Sequence, residues 1–128
     1  MNAKLVAPCG MNCAICSWHL GERKCPGCRT GSRSGIKQCA RVFKCPTFKK
    51  NKYKFCIECA KFPCKSIKTL DERYRTRYGM SMTDNLKFIK SNGIAKFLKV
   101  QEKNYKCPEC GGVVCVHNGK CYACDKVR

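Results

Sequence analysis

The sequence predicts a small protein that is mostly irregular, with short α-helices, and that is held together by something other than a large apolar core. Three observations predict this. Fifteen of the 128 residues are cysteine. Large hydrophobes are scattered, and helical periodicity is confined to one stretch in the middle. The cysteines recur as Cys-x-x-Cys pairs: Cys13/Cys16, Cys25/Cys28, Cys56/Cys59, Cys107/Cys110 and Cys121/Cys124. Two thiolates three residues apart on a tight turn can face one ion, which is how a zinc knuckle is built. The predicted fold class is therefore a small metal-stabilised chain, mostly irregular with short α-helices, closed by a C-terminal zinc-ribbon β-hairpin.

Metal is favoured over disulfides on three counts. The cysteine number is odd, so complete internal pairing is impossible. Met1 to Pro8 runs into Cys9 with no apolar leader segment, which predicts a cytoplasmic protein in a reducing compartment. The paired spacing itself is that of ligands. No stretch approaches the ~20 apolar residues of a membrane span, so no membrane association is expected. Structural zinc is worth about 10–16 kcal/mol of apparent binding energy in small finger peptides, enough to supply what a thin core lacks.

Composition divides the chain into three. Residues 1–64 form a multi-cysteine module with ten cysteines and many Gly, Pro and Ser turn signals. Residues 65–105 contain no cysteine and read as helical. Ile67, Leu70 and Tyr74 fall on one face, and Gly79 breaks the run. Ser81 or Thr83 can cap a second helix carrying Leu86 and Ile89, which stops at Gly93. Ile94, Phe97, Leu98 and Gln101 mark a third. The adjacent Asp71-Glu72 reads as charge placed to match the first helix dipole. Residues 106–128 carry Cys-Pro-Glu-Cys-Gly-Gly, an apolar run Val113 to Val116, then Asn118-Gly119 and the last knuckle. Asn-Gly after such a run is a strong hairpin signal.

The C-terminal set Cys107, Cys110, Cys121 and Cys124 is complete. Four thiolates close a tetrahedron and leave no open position, so the site is structural. Cys115 and His117 lie between the knuckles and either could replace one of the four, but Cys115 is expected in the small core and His117 on the hairpin surface. The N-terminal module offers Cys9, Cys13, Cys16, Cys25, Cys28, Cys39, Cys45, Cys56, Cys59 and Cys64. The simplest partition gives one site from Cys13, Cys16, Cys25 and Cys28 and a second from Cys39, Cys45, Cys56 and Cys59. Cys9 and Cys64 are then left over, and either can replace a neighbour. About three zinc ions follow at four thiolates each. Iron–sulfur is the alternative for this module: Cys9-x-x-x-Cys13-x-x-Cys16 has a spacing that holds clusters in much larger enzymes, and thiolates suit both metals.

Three motifs carry a family resemblance: Cys9-Gly10-Met11-Asn12-Cys13-Ala14-Ile15-Cys16, Cys25-Pro26-Gly27-Cys28-Arg29, and Cys56-Ile57-Glu58-Cys59-Ala60-Lys61-Phe62-Pro63-Cys64. With Asn85-Leu86 through Gly93 to Phe97-Leu98 and the final Cys-Pro-x-Cys-Gly-Gly, the chain resembles the cysteine-rich family called domain of unknown function 3795. The resemblance implies a bacterial or archaeal cytoplasmic zinc-binding protein. It implies no activity and no catalytic residue.

Direct reading agrees on catalysis. There are two histidines, His19 and His117, and eight scattered carboxylates, with no pair placed for acid–base work. His19, just after a knuckle, could replace a cysteine as a ligand but is expected to pack on its loop. The formal net charge is +19. Twelve thiolates holding three zinc ions would leave about +13, still a field that attracts polyanions. Between Glu22 and Glu58 there is no acid and there are eleven basic residues. Arg41, Lys44, Lys49, Lys50, Lys52 and Lys54, with Tyr53 and Phe55 among them, suit RNA or other single-stranded nucleic acid: cations meet phosphates and rings stack on bases.

Overall fold

The computed structural model describes residues 1–29 and 45–127, so the predicted site residues Cys39, Arg41 and Lys44 lie outside the described residues. Within them the elements are α1 (Ser17–Leu20), α2 (Pro46–Lys50), α3 (Lys65–Tyr78), α4 (Met82–Asn92) and α5 (Ile94–Asn104). Single 3-10 turns cover Ala3–Leu5, Cys13–Ile15 and Cys56–Glu58.

The three longer helices follow the sequence periodicity. Helix α3 buries Ile67, Leu70 and Tyr74 and ends on Gly79, whose φ of 65° is the left-handed cap that a side chain would resist. Ser81 caps α4, its Oγ accepting from the Asp84 N–H at 3.1 Å. Gly93 closes α4 on the Ile89 carbonyl at 2.8 Å and leads directly into α5. Asp71 is not a dipole charge as the sequence suggested. It sits mid-helix, 6% exposed, and reaches across to the start of α4. Its Oδ1 accepts from Ser81 Oγ at 2.7 Å and from the Thr83 N–H at 3.0 Å, and Oδ2 accepts from Arg75 Nε at 2.7 Å. One carboxylate thus fixes the angle between two helices.

The N-terminal stretch is irregular but tightly bonded. The Ala7 N–H donates to the Met11 carbonyl at 2.8 Å and closes a loop carrying Pro8-Cys9-Gly10. Gly10 has φ 92°, and a Cβ there would lie 2.7 Å from the Met82 carbonyl oxygen of α4. Asn12, fully buried, caps the Cys13–Ile15 turn through the Ala14 N–H and donates to Gln101 of α5 at 3.3 Å. The main core joins Cys9, Cys13 and Cys28 to Ile15, Ile67 and Leu70. Cysteines therefore supply much of what an apolar core would.

The expected β-hairpin does not form: among the described residues there are no strands. Residues 106–127 make three isolated antiparallel bridges, Lys106 with Val113, Val114 with Cys121 and Lys120 with Val127. The cause is a turn that repeats three times. Cys107, Cys115 and Cys121 each donate their N–H to the carbonyl five residues on, at 2.8–2.9 Å, and accept from the N–H four residues on. The fourth residue after each cysteine has positive φ: Gly111, Gly119 and Asp125. Asn118-Gly119 spends its left-handed glycine on this knuckle-shaped turn. The Val116 N–H then bonds outward to the Ile15 carbonyl at 2.9 Å, and no ladder can extend.

Candidate metal centres

Cys107, Cys110, Cys121 and Cys124 present sulfurs that all lie within 4.8 Å of one another. Cys107 and Cys124 are 3.8 Å apart and Cys110 and Cys121 are 3.5 Å apart. Sulfurs about 2.3 Å from a central ion in a tetrahedron have edges of about 3.8 Å. A disulfide would bring two of them to about 2.05 Å, and no cysteine of this region is in one. The spacing is that of one ion's ligands, and this group can hold a metal.

The knuckle backbones prepare the charge. N–H groups of Cys110 and Glu109 hold the Cys107 thiol down to about 7. Those of Cys124 and Ala123 lower Cys121. Cys110 receives the Gly112 N–H, yet its sulfur neighbours, Cys121 first, push it up to about 12. Four thiolates this close need a cation among them. Gly112 flanks the group, and a Cβ there would meet Ala123 Cβ at 2.7 Å and Cys121 Sγ at 3.1 Å. Cys115 begins the same turn but has Asn118 at the position of the second knuckle cysteine. It is buried, 1% exposed, outside the group of four.

His117 is not on the surface as the sequence suggested. Its Nδ1 accepts from the Ser17 N–H at 3.1 Å, and its Nε2 lies 2.7 Å from the Tyr74 hydroxyl. The backbone N–H can only donate, so Nδ1 carries the lone pair and Nε2 the proton. Burial, and next the charge of Arg73, lower its pKa. His117 pins the C-terminal region to α1 and α3.

A second set of cysteines lines a narrow cavity of about 20 Å³, although among the described residues only the C-terminal four sulfurs all lie within 4.8 Å of one another. Cys9, Cys13, Cys16, Cys25 and Cys28 line it together with His19. Sequence spacing grouped four of these, and the fold adds Cys9. One water-sized sphere needs roughly 10–15 Å³, so the space admits a single ion. Near it, Arg29 donates from Nε to the Val6 carbonyl at 2.7 Å and from Nη2 to the Lys54 carbonyl at 2.6 Å. Desolvation lowers the Arg29 pKa, and the thiols of Cys9, Cys56, Cys13 and Cys28 act against it. Its guanidinium thus lies between the cavity and a third group.

That third group centres on Cys56. Partial burial raises its thiol to about 12, with Cys64, Cys45 and Cys59 adding to the rise. All four cysteines occupy turn ends. Cys45 and Cys64 precede α2 and α3, and Cys56 and Cys59 bracket one 3-10 turn whose ends are bonded at 3.0 Å. Cys64, left over in the simplest partition, lies near Cys56, and Cys39 of that partition lies outside the described residues.

The acid-free basic stretch divides. Lys49, Lys50, Lys52 and Lys54 are exposed. Its rings are used internally: Phe48 and Tyr53 meet edge-on at 6.3 Å, and Phe55 lies under Arg29 at 4.7 Å while packing on Val6, Ile89 and Phe97. Sequence reasoning missed Arg29, Ser17 and Tyr74, whose roles depend on partners far away in the chain. Among the described residues no helix is long and apolar enough to cross a membrane. No family model, no curated protein and no solved structure matches this chain.

Proposed function

We propose that the protein is a cytoplasmic structural zinc protein in which three cysteine groups hold about three ions at four ligands each. The observation that carries this is the C-terminal sulfur group, whose 3.5 and 3.8 Å separations match the edge of a single-ion tetrahedron. Zinc is favoured over ferrous iron at such a site because affinity rises along the first-row series from iron to zinc. The third group, Cys45, Cys56, Cys59 and Cys64, would tie α2, the 3-10 turn and α3 together. Elemental analysis of freshly reduced, anaerobically purified protein tests the reading. About three zinc per chain with no iron or sulfide supports it; one metal or fewer, or iron with inorganic sulfide, overturns it.

A nucleic-acid role is a second reading, favoured by one observation: the exposed row Lys49, Lys50, Lys52 and Lys54. With Phe55 packed inside, this surface would grip phosphates more than bases. Affinity for a poly-U oligomer then falls with salt at about −0.7 in log–log slope per neutralised phosphate. Replacing the four lysines with alanine abolishes binding without metal loss. Equal binding by that variant, or none by wild type at tens of micromolar, removes the reading.

A further inference from the structure

We propose that Trp18 and the hollow beside it form a stacking site for an unpaired base of a single-stranded nucleic acid, with Arg23, Lys24 and Lys120 meeting its phosphates. The inference rests on the nucleic-acid reading above and supplies the base contacts that the lysine row lacks.

The rings that the sequence offered for stacking are turned to other uses. Phe55 packs on Val6, Ile89 and Phe97, and Phe48 and Tyr53 face each other. Trp18 is placed differently. It stands half-buried on α1 and lines, with Ser17, Glu22 and Arg23, an open hollow of about 290 Å³. Small-ligand pockets begin at roughly 300 Å³. The Arg23 guanidinium lies over the indole, 4.6 Å from a ring centre. Unpaired bases stack on aromatic rings and on guanidinium planes alike, and this hollow presents one of each. The Cys25 N–H closes the intervening loop on the Trp18 carbonyl at 2.9 Å, which holds Glu22 and Arg23 near the ring.

The same pairing recurs on the neighbouring segment. Gly21 caps α1 beside Tyr122: a Cβ on Gly21 would lie 4.0 Å from the Tyr122 ring. Lys120 Nζ lies 5.0 Å from the centre of that ring. The bond from the Ser17 N–H to His117, 100 residues away, keeps the two segments together. Charge sorts the roles. Arg23 and Lys24 are exposed cations. Lys120 pairs with exposed Asp125 at 3.3 Å, a surface pair that a phosphate can replace at little cost. The Glu22 carboxylate would repel a phosphate, but it can accept an N–H from the Watson–Crick edge of a base stacked in the hollow. Ring, guanidinium and carboxylate thus suit a base, and the surrounding cations suit its backbone.

Trp18 is the chain's one tryptophan, so its emission reports on the site directly. The test titrates the full reduced chain with oligo-U of about 16 nucleotides, the upper end of a small module's site size, and with an abasic ribose-phosphate oligomer of equal length. Anisotropy of the labelled oligomers reads affinity. The expected result is saturable quenching of Trp18 by oligo-U, tracking the anisotropy, and none by the abasic oligomer. Oligo-U should bind about five- to hundredfold more tightly, the gain from stacking. Trp18→Ala should remove that gain and leave abasic binding unchanged, a selective loss that mere unfolding would not give. The wild-type comparison stands whether or not the variant folds. Lys24→Ala should lower the salt slope by about 0.7. Equal affinity for the two oligomers, or oligo-U binding with unchanged Trp18 emission, overturns this inference and leaves the lysine row as a phosphate-binding surface. Free UMP binding as tightly as oligo-U overturns the strand as ligand. Binding of neither oligomer overturns both readings.

Discussion

Replacing His117 with leucine should detach the C-terminal region from the rest of the protein. The side chain is half-buried, and its two ring nitrogens bond with different polarity. It accepts from the Ser17 N–H at 3.1 Å and faces the Tyr74 hydroxyl at 2.7 Å. Leucine fills similar space but takes the ring acceptor from the Ser17 N–H and the ring donor from the Tyr74 hydroxyl. Each bond so lost costs about 1–3 kcal/mol, toward the lower end where water or another partner can reach. The lost edge contacts with Tyr74 and Tyr78, at 5.5 and 4.9 Å, add about 0.5 kcal/mol or more. Together the variant should lose about 2–4 kcal/mol, or roughly 8–20 °C in Tm for a chain of this size. pH supplies the control. The folded-state pKa of His117 lies below its ordinary value of 6.5, so the unfolded chain binds the proton more readily. Its contribution is complete above the unfolded pKa and is lost as pH falls from there through the folded value. Wild type should therefore lose stability more steeply than His117→Leu below that point, because both variants share the acid lability of the metal thiolates. Urea unfolding of metal-loaded protein at several pH values measures the difference. Equal stability at neutral pH, or parallel pH profiles, would refute the pin.

Three further outcomes follow. Asp71→Asn should cost about 2–3 kcal/mol, because charge-assisted bonds to Ser81, Thr83 and Arg75 become neutral ones; urea titration reads it. Burial raises the Asp71 carboxyl, but those bonds outweigh it and hold it below the ordinary range. Wild type should thus lose this advantage only in acid, as pH falls through that depressed value. Gly10→Ala should destabilise by about 2–4 kcal/mol, since the residue needs φ 92° and its Cβ would lie 2.7 Å from a carbonyl oxygen of α4; a thermal melt within 2 °C of wild type (about 0.5 kcal/mol) would contradict it. Cys107→Ser should lower the metal content by about one ion per chain while the N-terminal groups stay loaded, as read by elemental analysis.

The sequence made α3, α4 and α5 readable because their signals are local. The spacing of Ile67, Leu70 and Tyr74, the Ser81 cap, and the stops at Gly79 and Gly93 each depend on residues within a turn or two. The four C-terminal ligands were equally local, two knuckles in one short segment. What failed to show depends on the third dimension. Asp71 looked like a dipole charge because its partners, Ser81 and Thr83, face it only after α4 folds back on α3. His117 looked exposed because its partners are 100 and 43 residues away. Asn118-Gly119 correctly signalled a positive φ, but that signal fits a two-residue hairpin and a knuckle-shaped turn alike. The partition of the N-terminal cysteines was unreadable for the same reason. Cys64 comes near Cys56 from the start of a helix, a proximity that linear spacing does not reveal.

The positive charge acquires a more specific meaning once Arg29 is placed. In the sequence it is one of eleven cations in an acid-free run, indistinguishable from its neighbours. In the fold it bonds two carbonyls, covers Phe55 and lies beside thiols of two cysteine groups. A four-thiolate zinc site carries a net charge of −2, and two such sites close together repel. A guanidinium between them offsets part of that repulsion, and its planar fork holds its position where a lysine could not. Part of the basic excess is thus internal compensation for thiolates. The lysines at the end of α2 and just after it are a separate matter, since their side chains are exposed. Stability and any affinity for polyanions can therefore be changed independently in this protein, the first at Arg29 and the second at the lysine row.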